Sequence, residues 1–135
     1  MRFCTAINCM DGRVQLPVIR YLQDRFGADC VDVVSEPGPN RILAEGQDGA
    51  ALASIERRVR LSVDRHHSVG IAVVGHHDCA GNPSSEAEQS RHTLAAVARI
   101  RNTFGRLPVI GLWVDEDWTV SEVPEEADTS RQAMQ

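Results

Sequence analysis

The sequence V-V-G-H-H-D-C at residues 73–79 ends an apolar run with side chains that bind metal ions. His76 and Cys79 are three positions apart, so a turn that follows a strand can bring them together around one divalent ion. A tetrahedral zinc site needs at least one more ligand. Cys9 is the candidate, because it also follows a short apolar run, residues 3–7. We therefore predict a Zn²⁺ site formed by Cys9, His76 and Cys79.

Segments with the patterns of strands and helices alternate along the chain. Short apolar segments rich in β-branched residues predict strands at residues 3–9, 30–35, 69–75 and 108–114. Apolar residues at helical spacing predict helices at residues 17–27, 47–65 and 85–104. Breaker residues predict a loop at 37–40 after the second strand, and residues 115–124 are expected to form a short docked piece.

This alternation predicts a single-domain α/β fold with a mainly parallel sheet and helices on both faces. In such sheets, ligands bind beyond the carboxyl ends of the strands, at the point where the strand order reverses. If the first and third strands are neighbours, in the order 2-1-3-4, their ends lie about 5 Å apart. Cys9 can then meet His76 and Cys79 around one ion, so the motif and the fold prediction support each other.

Length and composition limit the classes of function. The 135 residues predict one domain over residues 1–124 and an acidic, frayed tail over residues 125–135. The 19 acidic and 14 basic residues give a net charge of −5, which argues against nucleic acid as a partner. No window approaches the ~20 apolar residues of a membrane span, and no pattern marks secretion, so we expect a cytoplasmic protein. In that reducing compartment the four cysteines are expected to be thiols or metal thiolates.

The predicted ligand set also indicates a type of chemistry. Three protein ligands leave a fourth tetrahedral position open, which is the arrangement of catalytic zinc. Zinc lowers the pKa of bound water, so hydroxide becomes available near neutral pH to attack a small electrophilic carbon. Asp11 lies two residues beyond Cys9 and can orient that hydroxide, while Arg13 can keep Asp11 ionised. In an alternative arrangement Arg13 is withdrawn, and Asp11 itself ligates zinc and closes the site.

These residues resemble the signature of the β-class carbonic anhydrases, which is Cys-x-Asp-x-Arg followed well downstream by His-x-x-Cys. Here the two parts read C-M-D-G-R at residues 9–13 and H-H-D-C at residues 76–79. Two spaced motifs in the right order are far more specific than either motif alone. The pattern of strands and helices between them extends the resemblance over residues 3–114.

The resemblance implies both a site and an activity. It implies Cys9, His76 and Cys79 as zinc ligands, and Asp11 with Arg13 as the catalytic dyad. It also implies a β-carbonic-anhydrase-like fold and a homodimer or larger homo-oligomer. The implied reaction is the reversible hydration of carbon dioxide to bicarbonate by a zinc-bound hydroxide that the Asp-Arg dyad orients.

Some features depart from the family pattern and leave more than one function open. The family has an Arg-Asn-Ala-Gly-Asn-like segment after the second strand, whereas residues 35–40 read S-E-P-G-P-N, and Ala80 stands where the family has glycine. Gln15 is the candidate for the glutamine of the family's pocket. Relatives with this scaffold hydrolyse carbonyl sulfide or carbon disulfide, so a sulfur analogue is an alternative substrate. The sequence is also compatible with a non-catalytic zinc-binding regulatory module and, more weakly, with a redox pair of Cys9 and Cys79.

Overall fold

The structure, a computed structural model, describes residues 1–125 as alternating strands and helices. The strands are β1 Phe3–Cys9, β2 Cys30–Glu36, β3 Ile71–His76, β4 Val109–Val114 and β5 Val120–Glu122. The helices are α1 Gln15–Phe26, α2 Pro39–Glu45, α3 Gly49–His66 and α4 Glu86–Phe104, and a 3-10 turn at Gly12–Val14 precedes α1. None of the helices in residues 1–125 combines the length and the apolar character that crossing a bilayer requires.

The five strands form one sheet in the order β2-β1-β3-β4-β5. β1 pairs in parallel with β2 and β3, and β3 pairs in parallel with β4, whereas β5 is antiparallel to β4. The predicted order 2-1-3-4 is therefore confirmed, and β5 extends it by one strand. Cys9 and His76 are the last residues of the neighbouring strands β1 and β3, so they lie at the same edge of the sheet.

The central strands are covered on both faces, as their continuous apolar sequences predict. The core on one face contains Val18 and Leu22 of α1 together with Ala6 of β1. The core on the other face contains Ile7 of β1 and Ile55 of α3, with further apolar side chains from α2 and α4. Full burial of a side chain of the size of Leu22 or Ile55 stabilises the fold by ~1.5–3 kcal/mol relative to exposure. The prediction of helices on both faces is confirmed.

The prediction of a simple loop over residues 37–40 is wrong, because the second half of this segment belongs to helix α2. Gly38 has a φ of 59°, and the helix begins immediately after it at Pro39. Proline is well tolerated in the first helical turn, because its missing N–H would have no intrahelical partner there. A Pro-Gly-Pro segment therefore serves here both as a strand breaker and as a helix start. The helix has only seven residues, which is too short for apolar spacing to reveal it.

The segment after residue 114, predicted to be a short docked piece, contains strand β5, which pairs with β4. The Asp115 carboxylate accepts hydrogen bonds from the backbone N–H groups of Asp117 and Thr119, each at 2.9 Å, and this turns the chain back onto β4. Beyond β5, Val123 is only 8% exposed. The predicted frayed tail over residues 125–135 lies outside the described residues except for Glu125.

Candidate metal centre

The three predicted zinc ligands come together at the carboxyl edge of the sheet. Cys9 ends β1, His76 ends β3, and Cys79 lies in the turn that follows β3. One donor atom from each residue lies within 4.8 Å of the other two, and the two sulfur atoms are 3.9 Å apart. Cys9, His76 and Cys79 are 3%, 1% and 4% exposed. This buried donor group can hold a metal ion.

The imidazole of His76 presents a free nitrogen lone pair to this group. Its Nδ1 lies 2.8 Å from the His77 carbonyl oxygen, which can only accept, so Nδ1 carries the proton and donates it. Nε2 then has a lone pair, and this buried atom has no hydrogen-bond partner within residues 1–125. A backbone carbonyl that fixes the tautomer of a histidine in this way is common at metal sites. The unpaired Nε2 beside two sulfur atoms therefore fits a bound metal ion.

The hydrogen bond between the two thiols shifts their pKa values in opposite directions. A hydrogen bond from Cys79 lowers the pKa of Cys9 well below that of a free thiol, against the opposing effect of burial. The same hydrogen bond, together with burial, raises the pKa of Cys79. The Cys9 thiolate is thus available as a ligand at neutral pH.

Asp11 and Arg13 form an ion pair just beyond β1. Arg13 Nη2 donates to Asp11 Oδ2 at 2.7 Å, and Arg13 Nε donates to Asp11 Oδ1 at 3.0 Å. Asp11 Oδ1 also accepts from the backbone N–H of Arg13 at 2.9 Å, which caps the 3-10 turn. Hydrogen bonds from the Arg13 side chain are the main reason that the pKa of Asp11 falls to about 2. Asp11 is therefore held ionised by Arg13.

Arg13 also links the two halves of the sequence signature. Its Nη1 donates to Asp78 Oδ2 at 3.2 Å, and its Nη2 donates to the Asp78 carbonyl oxygen at 3.1 Å. The guanidinium carbon lies 4.6 Å from the ring centroid of Trp118. Asp78 lies between His76 and Cys79 in the sequence, so Arg13 connects the turn after β1 to the turn that carries Cys79. The guanidinium is thus fixed by two carboxylates and an aromatic face.

Comparison with known proteins identifies the family. A family model described as "Putative carbonic anhydrase" matches residues 1–124. The chain belongs to this family. Among curated proteins, no sequence match was found. The predicted family resemblance is confirmed, and the prediction of a carbonic anhydrase-like lyase is confirmed at the level of the family.

A solved β-carbonic anhydrase shares the fold of this carbonic anhydrase family member. A tetrameric β-carbonic anhydrase of the filamentous ascomycete Sordaria macrospora matches with 13% sequence identity and a TM-score of 0.62, over 90% of this chain and 80% of that chain. The β-carbonic anhydrase CafA of the fungal pathogen Aspergillus fumigatus matches with 16% identity and a TM-score of 0.48, over 97% of this chain and 81% of that chain. At 13% sequence identity, the match to the Sordaria enzyme shows a shared fold and nothing about the function of this chain.

The side-chain amide of Gln15, the candidate for the pocket glutamine of the family, binds the backbone of the turn after β1. Its Nε2 donates to the carbonyl oxygens of Cys9 and Asp11, both at 2.8 Å. The side-chain amide therefore closes the turn between β1 and α1. By fixing these two carbonyl groups, Gln15 sets the backbone positions of one candidate ligand and of the carboxylate beside it.

A surface cavity of about 350 Å³ opens beside the turn that carries Cys79. The residues that line it include Cys79, Trp113, Asp78, Glu86 and Glu116. The cavity lies beyond the carboxyl ends of β3 and β4, which is where ligands bind in parallel sheets of this kind. A molecule as small as carbon dioxide fits into this space easily, and three of the lining residues are carboxylates.

Two glycines let the loop after β2 and the turn after β3 touch behind the candidate metal centre. A Cβ atom on Gly81 would lie 2.4 Å from the Pro37 carbonyl carbon and 2.6 Å from the Gly38 nitrogen. Both neighbours are backbone atoms, so a side chain at residue 81 forces the two segments apart. This contact ties the end of β2 to the turn in which Cys79 lies.

We expect Gly81→Ala to destabilise the metal-free protein by ~1–3 kcal/mol, because overpacking against backbone cannot be relieved by a rotamer change. Urea unfolding monitored by circular dichroism measures the effect. Gly12→Ala is the matched control, since a Cβ there meets nothing within 4 Å. The control is expected to be neutral or to stabilise by up to ~1 kcal/mol. Equal stability changes in the two variants would contradict the close contact at residue 81.

Proposed function

We propose that this protein is a zinc-dependent carbonic anhydrase that reversibly hydrates carbon dioxide to bicarbonate. The main support is the buried donor group of Cys9, His76 and Cys79, in which His76 Nε2 has no hydrogen-bond partner in the described part of the chain. Two thiolates and one imidazole are ligands that zinc takes in catalytic sites, where the fourth position is left for water. Membership of the carbonic anhydrase family supports the same reaction.

In this proposal the residues have separate roles. Cys9, His76 and Cys79 hold the zinc ion, which supplies Lewis-acid activation of water near neutral pH. Asp11 accepts a hydrogen bond from the attacking water and directs its lone pair towards the carbon of carbon dioxide. Arg13 keeps the Asp11 carboxylate ionised and in place through the two side-chain hydrogen bonds at 2.7 and 3.0 Å. The water oxygen bonds to the carbon and one proton leaves, which gives bicarbonate and H⁺.

The charge of the cavity suits a neutral substrate and an anionic product. Asp78, Glu86 and Glu116 contribute carboxylates to the cavity beside Cys79. A negative lining does not repel uncharged carbon dioxide, whereas it disfavours retention of bicarbonate.

We also infer a homo-oligomer in a reducing compartment such as the cytoplasm. The Sordaria enzyme is tetrameric. In this chain Met10 and Leu16 flank the turn after β1 and are 65% and 59% exposed. In this proposal these two side chains contribute to the contact between copies of the chain. The four cysteines are all free thiols, which fits a reducing environment.

Stopped-flow measurement of carbon dioxide hydration tests the proposed reaction. The zinc-loaded protein is expected to accelerate the pH change above the buffer rate at mildly alkaline pH, and chelation of the zinc is expected to remove the acceleration. A rate equal to the buffer blank with zinc fully bound would reject the proposal. The same preparation is assayed for sulfide release from carbonyl sulfide. Sulfide release without hydration of carbon dioxide would replace the proposed substrate with its sulfur analogue.

A further inference from the structure

We propose that Gln89 is a positioning residue that sets the distance between His76 and the turn carrying Cys79. This role rests on the proposed function, because it concerns how the chain holds His76 and Cys79, the two candidate zinc ligands of the His-x-x-Cys motif. Gln89 lies in the first turns of α4 and is 1% exposed. It is outside the family signature, and its hydrogen bonds to the candidate ligand His76 go to the main chain. Its effect on the metal centre would therefore be indirect.

The side-chain amide of Gln89 binds both ends of the segment that contains Cys79. Its Oε1 accepts from the backbone N–H of His76 at 3.2 Å, and its Nε2 donates to the His76 carbonyl oxygen at 2.7 Å. The same Nε2 donates to the carbonyl oxygen of Asn82 at 3.1 Å. His76 and Asn82 are the ends of the loop 76–82, and Cys79 is its midpoint. One planar amide thus closes this loop and fixes the backbone of His76 on both sides.

The orientation of the Gln89 amide is itself fixed by buried neighbours. Asn40 Nδ2 donates to Gln89 Oε1 and to Thr93 Oγ1, each at 3.2 Å. Asn82 Nδ2 donates to Asn40 Oδ1 at 3.1 Å. If the Gln89 amide rotated by half a turn, its NH₂ group would face the donors of Asn40 and His76. Buried donors without acceptors cost about 1–3 kcal/mol each, so the observed orientation is strongly favoured.

Strand β3 also packs closely against this amide. Gly75 precedes His76, and a Cβ atom at that position would lie 2.7 Å from Asn40 Nδ2 and 3.0 Å from Gln89 Oε1. Strand β3 therefore packs directly against the amide cluster, with no side chain between them. Such close packing transmits a displacement of the amide to the backbone of the next residue, which is the candidate ligand His76.

Replacement of Gln89 by leucine tests the proposal, because leucine has a similar volume and makes none of the four hydrogen bonds of the Gln89 amide. We expect Gln89→Leu to release zinc to a chelator about 10- to 100-fold faster than the wild type, as is typical when a group that orients a metal ligand is removed. We also expect an altered visible absorption spectrum of the cobalt-substituted protein, since that spectrum reports ligand geometry. Both measurements are made at a temperature at which circular dichroism shows each protein to be folded.

Thr93→Val is the matched control. Thr93 belongs to the same buried network and accepts from Asn40, but within the described residues its side chain has no hydrogen bond to His76 or Asn82. This variant is expected to lose stability while the zinc release rate and the cobalt spectrum stay as in the wild type. If Gln89→Leu does not fold, the same two measurements are made on Gln89→Glu. The glutamate carboxylate still accepts from the His76 N–H, but it cannot donate to the carbonyl oxygens of His76 and Asn82.

Two results would overturn the inference. One is a folded variant at residue 89 with unchanged zinc release and cobalt spectrum, and the other is an equal change in Thr93→Val, which would indicate general loosening. These results are distinguishable from failure of the proposed function. Normal zinc binding without carbon dioxide hydration rejects only the activity, whereas a wild-type protein that binds no zinc rejects the metal centre and the role of Gln89 together.

Discussion

Replacing His76 with alanine is expected to abolish stoichiometric zinc binding and, with it, carbon dioxide hydration. The variant removes the only nitrogen donor of the group and leaves the Cys9 and Cys79 sulfur atoms, 3.9 Å apart, with two positions to be filled by water. Loss of groups that merely support a ligand lowers metal affinity by about 10- to 100-fold, so loss of a ligand is expected to lower it by more than about 100-fold. Metal analysis after dialysis against zinc measures the effect.

The stability of the protein gives an independent measure of the same change. Zinc that binds only the folded state stabilises it by about 4.1 kcal/mol when the free concentration is ~1,000 times the Kd. We therefore expect zinc to raise the Tm of the wild type and to leave that of His76→Ala unchanged. His77→Ala is the control, because His77 is exposed and its carbonyl group, which accepts from His76, is retained. Full zinc content in His76→Ala, or loss of zinc in the control, would contradict the assignment.

The convergence of the candidate ligands could be predicted from the sequence because the underlying pattern is simple. Cys9 and His76 each end an apolar strand, and in a parallel sheet the carboxyl ends of neighbouring strands lie at one edge. Once strand order 2-1-3-4 is assumed, the distance follows from the spacing of strands alone. The prediction therefore needed the pattern of strands and helices, but no knowledge of any individual side-chain contact.

The surroundings of the site could not be predicted, because they depend on contacts between residues that are ordinary in sequence. The side chain of Asp78 is 70% exposed, yet it binds Arg13. Trp118 reaches Arg13 from a turn in which its own φ is 61°. Gln89 lies in a helix whose periodicity says nothing about which polar side chains are buried. A glutamine whose amide is buried and bound to backbone cannot be distinguished from an exposed glutamine in the sequence.

The errors in the fold prediction have a related cause. Helix α2 begins at Pro39 within a Pro-Gly-Pro segment, where local signals for a turn and for a helix start coincide. Strand β5 has three residues, and its pairing with β4 depends on the Asp115 turn rather than on alternation in its own sequence. Short elements are defined by what they pack against, so tertiary contacts decide them.

Asp11→Asn is expected to lower kcat for carbon dioxide hydration by about 100-fold or more while zinc content stays at one per chain, because a positioned proton acceptor typically contributes that much. The asparagine keeps the size of the side chain and loses the charge, so its amide can donate to the attacking water and misdirect its lone pair. Asp24→Asn, an exposed residue of α1, makes the same change in net charge and is the control. Stopped-flow kinetics and metal analysis on the two variants measure the difference.

The pH dependence makes this prediction more specific. Hydrogen bonding to Arg13 lowers the pKa of Asp11 to about 2, so the carboxylate stays ionised at every pH well above that value. Its contribution to stability is present above the unfolded-state pKa of about 3.9 and is lost as the pH falls towards 2. Between pH 5 and 9, the ~100-fold deficit of Asp11→Asn should therefore be constant. A deficit that disappears at one end of this range would mean that another group titrates in the role assigned to Asp11, and a variant as active as Asp24→Asn would remove Asp11 from the reaction.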